Sequence, residues 1–152
     1  MENKQELDWS SLGFGYHPTH YNVRCYWRDG AWGELEVSDS EMVTIPMAAT
    51  SLHYGQEAFE GLKAFRGRDG KVRVFRPEEN AARLQSTCRG ILMPELPTER
   101  FLEAIDRVLE LNKDFIPPYE SGASLYIRPL LIGLGKQVGI APANEYLFLV
   151  FV

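Results

Sequence analysis

At 152 residues, with 45% apolar and 12% aromatic side chains, the chain is one ordinary domain with enough apolar matter for a packed core, which excludes a disordered segment. Its net charge of −5 is mild and spread along the sequence, which argues against a nucleic-acid partner that would need clustered Lys and Arg. No apolar run approaches the roughly 20 residues of a bilayer span, so no membrane partner is expected.

Residues 1–13 read as a polar lead-in, neither a secretory signal nor an Arg-rich transit peptide. Residues 21–28 alternate apolar and polar and, with Asp29-Gly30 as a turn, should fold back on residues 31–37. A second turn, Asp69-Gly70, joins residues 61–65 to residues 71–75, with positive φ expected at both turn positions. Two hairpins predict an antiparallel sheet. A helix should begin at Pro77, where the missing N–H costs nothing, and bury Ala81, Leu84 and Cys88 before ending near Gly90 or Leu92. Thr98 is expected to cap a second helix with Phe101, Leu102, Ile105, Val108 and Leu109 as its apolar stripe, closed off by Pro117-Pro118.

Two apolar strands follow, residues 123–131 and 146–152. The last, Tyr-Leu-Phe-Leu-Val-Phe-Val, ends without a polar flank and would risk edge-to-edge pairing, so the chain is expected to be a fragment of a longer protein. Cys25 and Cys88 lack any Cys-x-x-Cys or Cys/His cluster. They read as reduced apolar fillers in a cytoplasmic protein, with no metal site.

Several side chains have two readings. Arg83 stands four residues after Glu79, so spacing alone makes it half of a surface ion pair worth about 0.3–0.5 kcal/mol. Tyr126 and Arg128 share one face of a strand, with Leu125 and Ile127 on the other. An arginine in that setting needs a carboxylate, either internal or a ligand's. Pro129 removes a ladder donor and suits a strand end or edge. Tyr54 and Phe59 read as core aromatics, and His53 as a packing or hydrogen-bonding residue.

Three segments, in this order, carry a resemblance. They are Ser51-Leu-His-Tyr-Gly-Gln-Glu-Ala-Phe-Glu-Gly-Leu-Lys-Ala-Phe65, Asn80-Ala-Ala-Arg-Leu84 and Ser124-Leu-Tyr-Ile-Arg-Pro129. Together they resemble the N-terminal domain of the branched-chain amino acid aminotransferases, pyridoxal 5'-phosphate (PLP) enzymes of fold type IV, over residues 14–152. The resemblance implies a small α+β domain, an antiparallel sheet packed with two helices. It implies amino transfer from Leu, Ile or Val to 2-oxoglutarate, giving glutamate, by a homodimer.

By the same resemblance Arg83 reaches the phosphate of PLP, a task that suits the planar fork of a guanidinium. Tyr126 lies near the substrate carboxylate, and Arg128 helps accept the second carboxylate of glutamate or 2-oxoglutarate. Phe59 walls the side-chain pocket, and Phe14, in Gly13-Phe-Gly15, resembles a further pocket phenylalanine. Tyr54 matches a tyrosine lent to the neighbouring subunit, and Val138 and Ile140 match a loop closing over that subunit's substrate. The chemistry also needs a lysine amine to tether the cofactor and relay a proton. Lys4, Lys63, Lys71, Lys113 and Lys136 do not match its position, which the family places in a second domain, so no catalytic residue is assigned in this chain. D-amino acid aminotransferases and aminodeoxychorismate lyases share the architecture and are the near alternatives. A standalone, non-catalytic domain that binds a carboxylate or a partner protein is the distant one.

Overall fold

The structure is a computed structural model that describes residues 7–9 and 11–152. The remaining lead-in positions, 1–6 and 10, and with them Lys4, lie outside the described residues. Eight strands form one antiparallel sheet among the described residues: β1 (Asn22–Arg28), β2 (Ala31–Trp32), β3 (Glu36–Ser38), β4 (Glu57–Phe59), β5 (Leu62–Arg66), β6 (Val72–Val74), β7 (Leu125–Gly133) and β8 (Tyr146–Phe151). The central path runs β2-β1-β8-β7-β5-β6, with β3 also on β1 and β4 also on β7. A short helix α1 (Thr50–Tyr54) precedes β4, and α2 (Pro77–Gly90) and α3 (Thr98–Leu111) follow the second hairpin.

Local chemistry explains much of this. Asp29 and Gly30 take φ values of 51° and 80°, as the expected two-residue hairpin turn requires. The second hairpin differs: only Gly70 has positive φ, at 76°. Its loop is longer, closed by Gly70 N–H to Gly67 O at 2.9 Å and Gly67 N–H to Lys71 O at 2.8 Å. Asp69 acts there through its side chain, accepting from the Lys71 amide at 3.2 Å and from Arg73 at 2.8 and 2.7 Å. The Arg73 guanidinium holds the Asp69 carboxyl well below the usual carboxylate range.

Helix α2 begins at Pro77 and buries Ala81, Leu84 and Cys88, as its spacing predicts. Helix α3 buries Phe101, Ala104, Ile105, Val108 and Leu109. Two details depart from expectation. Pro97, not Thr98, precedes the helix, and the Thr98 hydroxyl accepts a bond from Gln85 Nε2 at 3.1 Å. The helix also stops at Leu111, well before Pro117-Pro118. The cause is Asn112, a fully buried amide that donates to Val108 O at 2.8 Å and Tyr21 O at 2.9 Å and accepts from the His20 and Tyr21 amides at 2.9 and 3.1 Å. Such a side chain competes with the helix for its own backbone groups.

Helices α2 and α3 cover one face of the sheet, where Val23, Cys25, Leu84, Phe101, Ile127, Leu131, Phe148 and Val150 form the main core. A smaller cluster on the other face joins Ile132, Leu134, Leu147 and Leu149 to Val43 and Ile45. Strand β8 therefore runs through the middle of the sheet, between β1 and β7 and buried on both faces. Its apolar run follows from that position, so the expected edge hazard does not arise. Cys25 and Cys88 are buried and free, and burial pushes each thiol up to about 11.

Candidate functional site

The sequence reading placed a strand at residues 61–65 and none before it, whereas the structure adds β4 just upstream of β5. Phe59 pairs with Leu130 and Leu62 with Ile127, so both strands keep one register against β7. Between them Glu60 donates its amide to Pro129 O at 2.9 Å. Pro129 has no N–H to return, and the ladder breaks at Glu60-Gly61. Pro129 thus sits inside a central strand, paired with Val150 of β8, and not at the strand end or edge its type suggests.

Alternation along this interrupted strand sends neighbouring side chains to opposite faces. Phe59 emerges on the face away from the helices, where Tyr126, Arg128 and Lys63 also stand, as the period-two reading of residues 125–128 requires. The Arg128 guanidinium carbon lies 4.4 Å from the centre of the Phe59 ring and 5.2 Å from that of Tyr126. Arg128 Nε donates to the Tyr126 hydroxyl at 3.2 Å, and the Phe14 ring meets Tyr126 edge-on at 5.1 Å. No carboxylate among the described residues pairs with Arg128, so the internal partner considered for it is absent there. Gly61 makes room for this arrangement, because a Cβ there would lie 2.6 Å from the Tyr126 hydroxyl.

Phe14, Tyr126, Arg128 and Lys63 line an open cleft of about 560 Å³, with Trp9 and Leu12 of the lead-in on its rim. That volume is in the range of small-molecule sites. Its walls are largely aromatic and aliphatic, and among the described residues the Nη1 and Nη2 groups of Arg128 have no partner. An anionic ligand with an apolar body suits both properties. Tyr54 and Phe59 are exposed and so are not the core aromatics their type suggests, and Phe14 is exposed as well.

Glu60 points the other way, toward α2. Its carboxylate is 3% exposed and accepts Arg83 Nε at 2.9 Å, Arg83 Nη2 at 2.6 Å and Asn80 Nδ2 at 2.8 Å. This overturns the pairing of Arg83 with Glu79, which the structure gives instead to Arg76 at 2.8 Å. Arg76 has a φ of 46° just before α2, which turns its side chain onto the helix's first turn. The hydrogen bonds that Arg83 donates to Glu60 raise the arginine's pKa above the ordinary value. The Arg83 side chain is 68% exposed, and its Nη1 has no partner among the described residues. Glu60 and Asn80 stand in the segments already singled out, but no local spacing predicts that Glu60 receives both Asn80 and Arg83. The signal for Glu60 was an acid flanked by the apolar Ala58, Phe59 and Leu62.

The third group lies apart from the cleft. The Tyr54 hydroxyl donates to Val138 O, joining α1 to the segment after β7, and Gln137 N–H bonds Ala48 O at 3.0 Å nearby. Val138 and Ile140 are about nine-tenths exposed, at 89% and 91%. His53 bonds Met47 O through Nε2 at 2.8 Å. Among the described residues no group of three His, Cys, Asp or Glu is placed to hold a metal, and no helix is long and apolar enough to cross a membrane.

No protein-family model matches the chain. Comparison with curated proteins is informative. The chain is 46% identical over 147 residues to a branched-chain-amino-acid aminotransferase of Haemophilus influenzae, spanning 97% of this chain and 43% of that protein. It is 45% identical over 151 residues to the Helicobacter pylori protein of the same name, spanning 99% and 44%. The chain thus spans less than half the length of these relatives. Among solved structures, the branched-chain aminotransferase of Thermoproteus uzoniensis with norvaline superposes with a TM-score of 0.62 at 23% identity, over 84% of this chain and 39% of that one. The Thermobaculum terrenum enzyme in its PLP form gives 0.62 at 16% identity, over 88% and 39%. In sequence and in fold, nearly the whole chain is similar to the N-terminal domain of the branched-chain-amino-acid aminotransferases of fold type IV.

Proposed function

We propose that this chain is the N-terminal domain of a PLP-dependent aminotransferase that moves the amino group of Leu, Ile or Val to 2-oxoglutarate, acting as a cytoplasmic homodimer. The observation that carries the reading is Arg128, a cation stacked on Phe59 and bonded to Tyr126 in an apolar cleft, with no protein carboxylate among the described residues to satisfy it. A substrate carboxylate is the group it lacks. Phe14 and Phe59 would accept a branched aliphatic side chain, at about 0.8 kcal/mol per methylene withdrawn from water. They would also keep water from the carboxylate contact.

The residues present fit PLP at one end. Arg83 offers an exposed guanidinium, fixed from behind by Glu60 and with Nη1 unengaged among the described residues, which suits a phosphate. When bound, PLP supplies the electron sink for the reaction. The tethering amine is assigned to a second domain, because Lys63, like the other lysines of this chain, does not match its position in the resemblance. Tyr54, bonded to Val138 O, and the exposed side chains of Val138 and Ile140 are suited to a neighbouring subunit's pocket.

The test is an assay of the full-length polypeptide with PLP, L-leucine and 2-oxoglutarate. Glutamate should form, and the 152-residue chain alone should form none. Turnover of D-alanine without turnover of L-leucine would assign the domain to the D-amino acid branch of the fold and sink the proposal.

A further inference from the structure

We infer that Glu60 is a positioning residue for the phosphate site, a rigid backstop that aims the Arg83 guanidinium. The inference rests on the proposed role of Arg83 toward PLP and adds a residue to it. An exposed arginine on the second turn of a helix ordinarily samples many rotamers, and ordering it on a ligand carries an entropic penalty. Here two parallel bonds from Nε and Nη2 lock the guanidinium plane against one carboxylate. Only the Nη1 edge and the remaining Nη2 hydrogen stay available, and they face away from Glu60.

The carboxylate is itself immobilised. It is 3% exposed, held by Asn80 at 2.8 Å, and its backbone amide is tied to Pro129 O at 2.9 Å. Pro129 follows Arg128, and Glu60 follows Phe59. One dipeptide therefore fixes both cations from opposite faces of the sheet: the Phe59 ring lies against Arg128, and the Glu60 carboxylate holds Arg83. The phosphate donor and the substrate-carboxylate donor are indexed to one another through two consecutive residues. A purely electrostatic view predicts the reverse use for Glu60, because a carboxylate behind Arg83 lowers its attraction for an anion. Position and charge must therefore be separated experimentally.

Glu60→Asp separates them, since it keeps the charge and withdraws the carboxylate by one methylene. In full-length apoprotein, equilibrium dialysis gives the affinities for PLP and for pyridoxal, which lacks the phosphate. The ratio of the two isolates the phosphate contact from any general loosening of the site. Glu60→Asp is expected to lower that ratio about tenfold, the scale of one well-made charge-assisted hydrogen bond. A folded Glu60→Asp protein with a ratio within twofold of wild type overturns the inference. If Glu60→Asp does not fold, Asn80→Ala decides: it frees the carboxylate without shortening it and should lower the ratio about threefold, and an unchanged ratio overturns the inference. Arg83→Ala distinguishes the two levels. If it leaves the ratio unchanged, the phosphate role of Arg83 fails and the inference fails with it. If it lowers the ratio while Glu60→Asp does not, the backstop alone is wrong.

Discussion

The guanidinium of Arg128 rests 4.4 Å from the centre of the Phe59 ring, on a face of the sheet that the two long helices leave uncovered. A contact of this kind at a partly exposed position is worth about 0.5–1 kcal/mol. Phe59 is 62% exposed, so its removal should change fold stability by no more than about 0.5 kcal/mol. Phe59→Ala is therefore expected to leave the urea midpoint in place while raising KM for 2-oxoglutarate about threefold to fivefold in the full-length enzyme. Equal loss of stability and affinity would show that the ring is structural.

Gly61→Ala tests the neighbouring position. The new methyl group would stand 2.6 Å from the Tyr126 hydroxyl, so the phenol must move. Displacing it breaks the 3.2 Å bond from Arg128 Nε and the edge contact with Phe14. Overpacking of this sort costs about 1–3 kcal/mol. Gly90→Ala serves as the control, because a Cβ there meets nothing within 4 Å. At the end of α2 it should be neutral or stabilising by up to about 1 kcal/mol. Chemical denaturation of both variants checks the pair, and equal behaviour would discard the steric account of Gly61.

What the sequence disclosed here follows the range of the forces involved. Asp29-Gly30 and Pro77 were legible because a turn and a helix start are decided by the backbone freedom of one or two residues. Tyr126 and Arg128 were placed on one face by period two alone. The Glu60–Arg83 pair was not legible, because it joins residues 23 positions apart across a sheet-to-helix contact, while Glu79 lay temptingly at i−4. Strand β4 is only three residues long, and its separation from β5 depends on a proline in another strand. The end of α3 was misread for a related reason. Asn112 gains its partners from Tyr21 and His20, about ninety residues upstream, and those cannot be seen from the helix.

That amide leads to a stability prediction. Asn112 is fully buried and spends both donors and both acceptor sites on backbone groups. Asn112→Ala leaves two amide hydrogens and a carbonyl at the start of β1 without partners, at a cost of about 3 kcal/mol. Asn112→Asp keeps the acceptor for His20 and Tyr21 but loses both donors and buries a charge, so it should be at least as damaging. Urea unfolding at neutral pH measures both. A change below about 1 kcal/mol for Asn112→Ala would mean that water replaces the side chain there.

The buried thiols set a limit on the alkaline side. Burial raises Cys25 and Cys88 from an ordinary value of 9.0 to about 11. Above pH 9 the unfolded chain gives up these protons while the folded chain retains them, so the unfolded state binds fewer protons. By linkage, stability is flat with pH below about 9 and falls as pH rises toward 11. The urea midpoint should therefore drop between pH 8.5 and 10.5. Tyr146, whose pKa is also raised by burial, contributes in the same direction. The thiol share is isolated with Cys25→Ala/Cys88→Ala, which should start less stable because it leaves small cavities but lose less stability over the same interval. Alkylation offers a second measure. At pH 8.5 iodoacetamide should modify neither thiol in the folded protein and both in urea, because Cys25 and Cys88 are fully buried as well as protonated. Rapid labelling of either one in the native state would mean that the packing between the sheet and its helices opens locally, and the predicted slope would then disappear.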